Sequence, residues 1–206
     1  VLEADRIFLN VGGLAVAPDM PGLSDIEYMT NVGILELDKV PEHLVVIGGS
    51  YIALEFAQMY RRFGAGVTVI EKGPRLTSRE DEDVSATIKE ILEAEGIDVV
   101  VDASDIRFTK RDNGFEVTPR EGVNPIAGTH LLMAVGRQPN TDDLGLEAAG
   151  VETDRRGYIV VDDQLRTNVE HIWAMGDCNG RGAFTHTSYN DFEIVAANLL
   201  DDDPRR

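Results

Sequence analysis

Cysteine is almost absent from this 206-residue chain: Cys178 stands alone. One thiol excludes an internal disulfide and any metal site built from several cysteines. Lysine is nearly as scarce, with four against fifteen arginines, and the 19 basic residues are outnumbered by 37 acidic ones. A formal net charge of −18 repels nucleic acid and anionic lipid, so neither is an expected partner. The acidity reads as a solvated surface, with a saline habitat as the alternative. No apolar run approaches the length of a membrane span and no signal-peptide pattern is present, which makes the cytoplasm the expected location. The chain opens on Val1 rather than Met and reads as a stretch of a longer protein.

What is present suffices for one large domain or two small ones, with 43% hydrophobic residues to build their cores. The pattern predicts strands at 7–11, 44–47, 67–70, 97–101 and 131–135, and helices at about 50–63 and 80–95. Gly64 and Gly96 end the two helices. Val84, Ile88, Ile91 and Leu92 form the expected buried stripe of the second helix. Residues 106–109 and 115–118 read as a hairpin through Asp112-Asn113-Gly114. Beyond Gly157 the expectation is short strands at 158–161 and 171–174 and a closing helix at 188–200. Alternating strands and helices imply an α/β fold with a parallel sheet whose last crossover is a β excursion.

The stretch VVIGGSYIALEFAQMYRRFGAGVTVIEK, residues 45–72, carries the clearest chemistry. Gly48, Ser50 and Ala53 occupy the positions of G-x-G-x-x-G/A between a strand and a helix. The first glycine permits the tight turn, the second position lets a pyrophosphate approach the backbone, and the third lets helix pack on strand. Ser50 departs from the usual glycine and narrows that approach, while Gly49 beside it keeps the loop lean. Amides of the helix start, through Tyr51 and Ile52, face the phosphates. Glu71 ends the next strand where a carboxylate accepts hydrogen bonds from an adenosine ribose. Its charge favours NAD over NADP, although Lys72, Arg75 and Arg79 lie nearby.

Two further stretches, AVGRQPNT (134–141) and LRTNVEHIWAMGDC (165–178), complete a set. Together with NVGGLAVAPDMPGL, GGSYIALEFA and FTHTSYNDF, in this order, they make the chain similar to the FAD-dependent pyridine nucleotide–disulfide oxidoreductases. That family includes dihydrolipoamide dehydrogenase, glutathione reductase and mercuric reductase. The resemblance implies a Rossmann-like NAD-binding domain at 41–138 and two partial strips of a split FAD-binding domain at 1–40 and 139–206. It implies that Gly48, Gly49, Ser50, Tyr51, Ile52 and Ala53 hold the NAD pyrophosphate, with Tyr51 as a lid over the flavin and Glu55 near the nicotinamide amide. Gly136 would lie beside the nicotinamide nucleotide and Arg137 near the flavin adenosine. On the FAD side stand Gly12, Gly176, Asp177 on the ribityl chain, and Phe184, Thr185, His186 and Thr187 under the flavin. Plainer alternatives are a core-edge aromatic for Tyr51, a solvated acid for Glu55, and a turn cap for Asp177. His186 offers its backbone rather than acid–base chemistry, and Cys178 reads as a small buried residue.

No second glycine fingerprint opens the chain, and one cysteine cannot form the family's redox pair. No catalytic residue of the family therefore falls within this stretch. The resemblance implies a parent enzyme that moves reducing equivalents from NADH through FAD to a disulfide or metal acceptor, and a parent homodimer completed by the remainder of its own chain. The stretch alone is expected to bind NAD weakly and FAD poorly. The competing readings are an NADH oxidase or ferredoxin-reductase relative, and a non-catalytic dinucleotide-binding module.

Overall fold

The computed structural model describes residues 3–201 and 203–205. Strands β1 (Ile7–Leu9) and β2 (Gly13–Ala15) come first, followed by single 3-10 turns at Leu23–Asp25 and Gly33–Glu36. There follow β3 (His43–Ile47), α1 (Tyr51–Arg62), β4 (Gly66–Ile70), α2 (Glu82–Ala94) and β5 (Asp98–Val100). Strands β6 (Arg107–Arg111), β7 (Gly114–Thr118), β8 (Ile126–Gly128) and β9 (His130–Met133) come next. The chain ends with β10 (Arg137–Pro139), β11 (Ile172–Ala174), a 3-10 turn at Gly176–Asn179, and α3 (Thr185–Leu199). Contacts divide it into two compact units, residues 15–136 and residues 1–14 with 137–206.

In the first unit, β3, β4, β5 and β9 form one sheet in the order β5-β4-β3-β9, with every pair parallel. Strand β3 is central, and Leu44, Val45, Val46 and Ile47 are buried on both faces, which is why it reads as an unbroken apolar run. One face packs on the helices through Leu54, Ala57, Tyr60 and Leu92. The other packs on the antiparallel sheet β6-β7-β8 through Phe108, Phe115 and Val117. That small sheet is the β excursion, with the hairpin where the Asn-Gly signal placed it. Its third strand, β8, is an addition that the sequence pattern does not announce.

Two expectations need correction here. In α2 the buried side is centred on Ser85 and Leu92, and Val84 and Ile91 are exposed at 42% and 49%. The helix is rotated toward the loop before it, where the Ser85 hydroxyl lies 3.4 Å from Thr77 Oγ1. Residues 15–40 also pack with this unit rather than with residues 1–14. Ile34 is fully buried in the helix-side core and its carbonyl accepts the Tyr60 hydroxyl at 2.6 Å. Met29 bridges Leu132 in parallel, and the Phe108 N–H donates to the Pro21 carbonyl at 2.8 Å.

At the N-terminal end of the parallel strands, His43 Nε2 and Thr68 Oγ1 share a hydrogen bond at 2.9 Å. The Thr129 hydroxyl accepts from the His43 N–H at 3.1 Å and donates to its carbonyl at 3.0 Å. Burial lowers the His43 imidazole below its ordinary value, against the opposing pull of Asp98 and Glu42.

In the second unit, β1 pairs in parallel with β11, and β2 pairs with β10. Residues 158–161 do not form the expected strand; only Ile159 bridges, to Thr153. The side chains of Asp154 and Asp162 explain this. Asp154 accepts from the N–H groups of Arg156 and Tyr158, and Asp162 from those of Gln164 and Arg166, so local turns replace the ladder. The closing helix begins three residues earlier than expected, at Thr185. Phe8, Leu14, Phe184, Tyr189 and Phe192 are all exposed on this unit. Among the described residues, no helix is long and apolar enough to cross a membrane.

Candidate functional site

The parallel sheet delivers the glycine turn. Strand β3 ends at Ile47, and Gly48 turns the chain with φ +116, a conformation closed to side-chain-bearing residues. A Cβ on Gly48 would also overlap the carbonyl oxygen of Ala134. Gly49 is needed for room: a Cβ there would meet Glu71 Cγ, Glu71 Oε2 and Leu76 Cδ2, each at 2.8 Å. Ser50 is the N-cap of α1 at φ −96, a conformation that serine adopts without strain, and its side chain makes no cap hydrogen bond. The departure from glycine therefore costs the backbone nothing.

Helix α1 then opens with no acidic residue in its first turn. First-turn amides, those of Ile52 and Ala53 among them, have no acceptor within the helix. They leave a partial positive charge at the turn. Ala53 is fully buried, so its small side chain lets the helix settle on the sheet. Tyr51 is 41% exposed at the start of α1, and Glu55 is exposed one turn further on.

Glu71 folds back beside this turn. Its Oε1 accepts from the Gly73 N–H at 2.7 Å, while Cγ and Oε2 lie against Gly49. The following loop is fastened to the same place, because the Thr77 N–H donates to the Gly49 carbonyl at 2.7 Å. Thr77 takes φ +43 to do so. Arg75 is engaged by Glu82 at 3.1 Å and by the Ser78 carbonyl, whereas Lys72 and Arg79 are exposed. The structure thus brings Gly48, Gly49, Ser50, Tyr51, Ile52, Ala53 and Glu71 to one end of the sheet. Gly136, whose carbonyl accepts from the Val16 N–H at 3.2 Å, follows β9 in the same unit.

In the other unit, Arg137 Nη2 donates to the Gly13 carbonyl and lies 3.4 Å from Asp177 Oδ2. Gly12, at φ +70, carries the turn before Gly13, and its carbonyl accepts from the Asn140 N–H at 3.0 Å. Gly176, at φ +69, opens the 3-10 turn that presents Asp177. Cys178 is buried in that turn with its thiol directed at the Met175 carbonyl at 3.2 Å. Burial pushes this thiol up, the opposite of what a nucleophile requires. Phe184 caps α3, with the Thr187 hydroxyl accepting from its N–H and donating to its carbonyl. His186 stacks on the Phe184 ring at 5.3 Å, and both it and Thr185 are exposed.

One residue of the FTHTSYNDF stretch carries a role that the sequence alone does not assign to it. Asp191 is buried in α3 and accepts from the Gly176 N–H and from Asn179 Nδ2, each at 2.8 Å. A single aspartate in an amphipathic helix reads as solvated, and only its place one helical turn after Ser188 hints otherwise.

Residues 1–191 match the family model described as pyridine nucleotide-disulphide oxidoreductase. The chain is 38% identical over 205 residues to the probable pyridine nucleotide-disulfide oxidoreductase RclA of Escherichia coli (strain K12), covering 99% of this chain and 46% of that protein. It is 38% identical over 203 residues to the mercuric reductase of Streptomyces lividans, covering 97% of this chain and 42% of that one. Among solved structures, the HOCl-induced flavoprotein disulfide reductase RclA from Escherichia coli superposes with a TM-score of 0.91, over 97% of this chain and 46% of that one. LpdA from Mycobacterium tuberculosis, at 28% identity, gives a TM-score of 0.81 over 96% of this chain and 43% of its own. The chain spans less than half the length of these relatives. With a Rossmann-like parallel sheet, a glycine turn at its end and a matching model over nearly its full length, the chain belongs to the pyridine nucleotide-disulphide oxidoreductase family.

Proposed function

We propose that this chain is the nicotinamide-nucleotide half of a flavoprotein oxidoreductase that carries reducing equivalents from NADH to a disulfide or metal acceptor. Residues 41–138, with residues 15–40 packed against them, serve as the NAD domain, and residues 1–14 and 139–206 contribute to an FAD domain completed by the rest of the protein. A homodimeric, cytoplasmic parent fits the family. The observation that carries the reading is the Glu71 carboxylate held against the Gly49 turn, at the mouth of a helix whose first turn has no acid.

The residues present fit a dinucleotide. Gly48 and Gly49 keep the turn free of side chains, and the amides of Ile52 and Ala53 suit a diphosphate. Glu71 keeps one oxygen for Gly73 and offers the other to a ribose hydroxyl. That anion disfavours a 2′-phosphate, and Arg75, engaged by Glu82 and Ser78, is not directed at one. Tyr51, at the exposed start of α1, serves as the lid, and Glu55 and Gly136 border the nicotinamide.

For the flavin the fit is partial. Asp177 is a quarter exposed and suits the hydroxyls of a polyol, Arg137 balances its charge, and α3 opens toward Phe184, Thr185, His186 and Thr187 with no acid in its first turn. When bound, FAD supplies the acceptor for the nicotinamide hydride. The chain's own residues bind and orient the two nucleotides and place charge. RclA and the mercuric reductase of Streptomyces lividans are reductases, which favours this reading over a binding module without chemistry.

Calorimetric titration of NADH and NADPH into the flavoprotein and its Glu71→Ala variant tests the proposal. NADH should bind more tightly than NADPH. Glu71→Ala should weaken NADH on the order of tenfold and narrow the gap. Preference for NADPH, or an unchanged NADH affinity in the variant, refutes it.

A further inference from the structure

We infer that Asp191 is a positioning residue: its buried carboxylate pins the Gly176–Asp177 turn and thereby aims Asp177 at the polyol hydroxyls of the flavin. The inference rests on the reading of Asp177 proposed above. An aspartate inside a helix is a poor helix former, and one only 8% exposed also gives up hydration. No salt bridge compensates it among the described residues. What it has instead are two donors from one short turn, the Gly176 N–H and the Asn179 amide, both converging on Oδ2 at 2.8 Å.

That turn is held from several directions. Asn179 Nδ2 also donates to the Ala174 carbonyl at 3.2 Å, tying the turn to the end of β11. Gly176 sits so close to its neighbours that a Cβ would lie 2.6 Å from Asn10 Oδ1 and 2.8 Å from Ser188 Oγ. Ser188 and Asp191 are three residues apart and share a helix face, so one turn of α3 grips Gly176 while the end of β1 closes the opposite side. The backbone of Gly176 fixes where the next residue points. Loss of the Asp191 acceptor leaves the Gly176 N–H buried and unpaired, and the turn relaxes to satisfy it. Asp177 then loses its direction while its own side chain remains intact.

The test is a double-mutant cycle in the full-length flavoprotein, with FAD dissociation followed by the fluorescence of released flavin. Asp177→Ala should weaken FAD, and Asp191→Ala should weaken it on the order of tenfold. Asp191→Asn keeps a carbonyl oxygen for both donors and should restore affinity to within about threefold of the parent. In the Asp177→Ala background, Asp191→Ala should add less than about a twofold loss, because the two act as one unit. A full, additive loss in that background, an Asn variant as weak as Ala, or an Asp191→Ala variant that binds normally each overturns the positioning role. If Asp177→Ala itself binds FAD normally, the reading of Asp177 fails first and takes the inference with it. Should Asp191→Ala not fold, Asp191→Ser takes the same cycle and the same criteria.

Discussion

Replacing Gly49 with alanine tests whether the glycine turn and the Glu71 carboxylate are one construction. Gly49 is not among the glycines at positive φ, so the backbone accepts an alanine readily. The cost is space, since the new Cβ would lie 2.8 Å from two atoms of Glu71 and from Leu76 Cδ2. These are side-chain atoms, and the available relief is for Glu71 to swing out and give up its 2.7 Å hydrogen bond from Gly73. A hydrogen bond to a charged group contributes about 1.5–3 kcal/mol, and overpacking costs about 1–3 kcal/mol. Because the swing relieves part of the overlap, the two do not add in full. A net loss of about 2 kcal/mol is expected, lowering the thermal midpoint by roughly 4–8 °C for a chain of this length. NADH affinity should fall with it. The deciding measurement is the unfolding midpoint of Gly49→Ala with and without Glu71→Ala. Once Glu71 is truncated, two of the three overlaps vanish, and Gly49→Ala should cost at least about 1 kcal/mol less than it does alone. Additive costs, or an unchanged midpoint in the single variant, would refute the reasoning.

Ser50→Gly removes an exposed side chain that makes no cap hydrogen bond, so stability should stay within about 0.5 kcal/mol while NADH binding, read by titration, strengthens modestly. Gly48→Ala combines a forbidden φ with an overlap on the backbone of Ala134; a loss of about 2–6 kcal/mol is expected in urea unfolding. Burial holds His43 below its ordinary value of 6.5, so the unfolded chain binds the extra proton more readily. Stability should therefore fall as the pH drops from that value through the lowered one. His43→Gln should flatten that part of a urea-midpoint profile.

The sequence made the parallel sheet legible because β3, β4 and β9 are short apolar runs bounded by glycine, a pattern that few other environments produce. The Gly48 turn was equally plain, since strand, glycine and helix follow one another directly. Gly49 was less so. Its need for room arises from Glu71, a partner 22 residues away, and no local rule reports such a contact. Asp191 stayed hidden for a related reason: a charge on a helix reads as solvated until its donors are located. The α2 stripe was misplaced because the loop before it, through Thr77 and Ser85, fixes the helix rotation. Residues 158–161 have the apolar texture of a strand, yet Asp154 and Asp162 take the neighbouring amides for themselves. The packing of residues 15–40 with the parallel sheet depends on single contacts, such as that of Ile34 with Tyr60, that carry no periodic signature.

The β6-β7-β8 meander has a practical use. Its tip at Asp112 and Asn113 is exposed, and the Arg111–Gly114 pair closes the ladder beneath it. The energetic penalty of a longer connection grows only slowly with length, and exposed tips tolerate insertion well. A fluorophore-bearing peptide grafted between these two residues would therefore leave the ladder intact and give this unit an optical label.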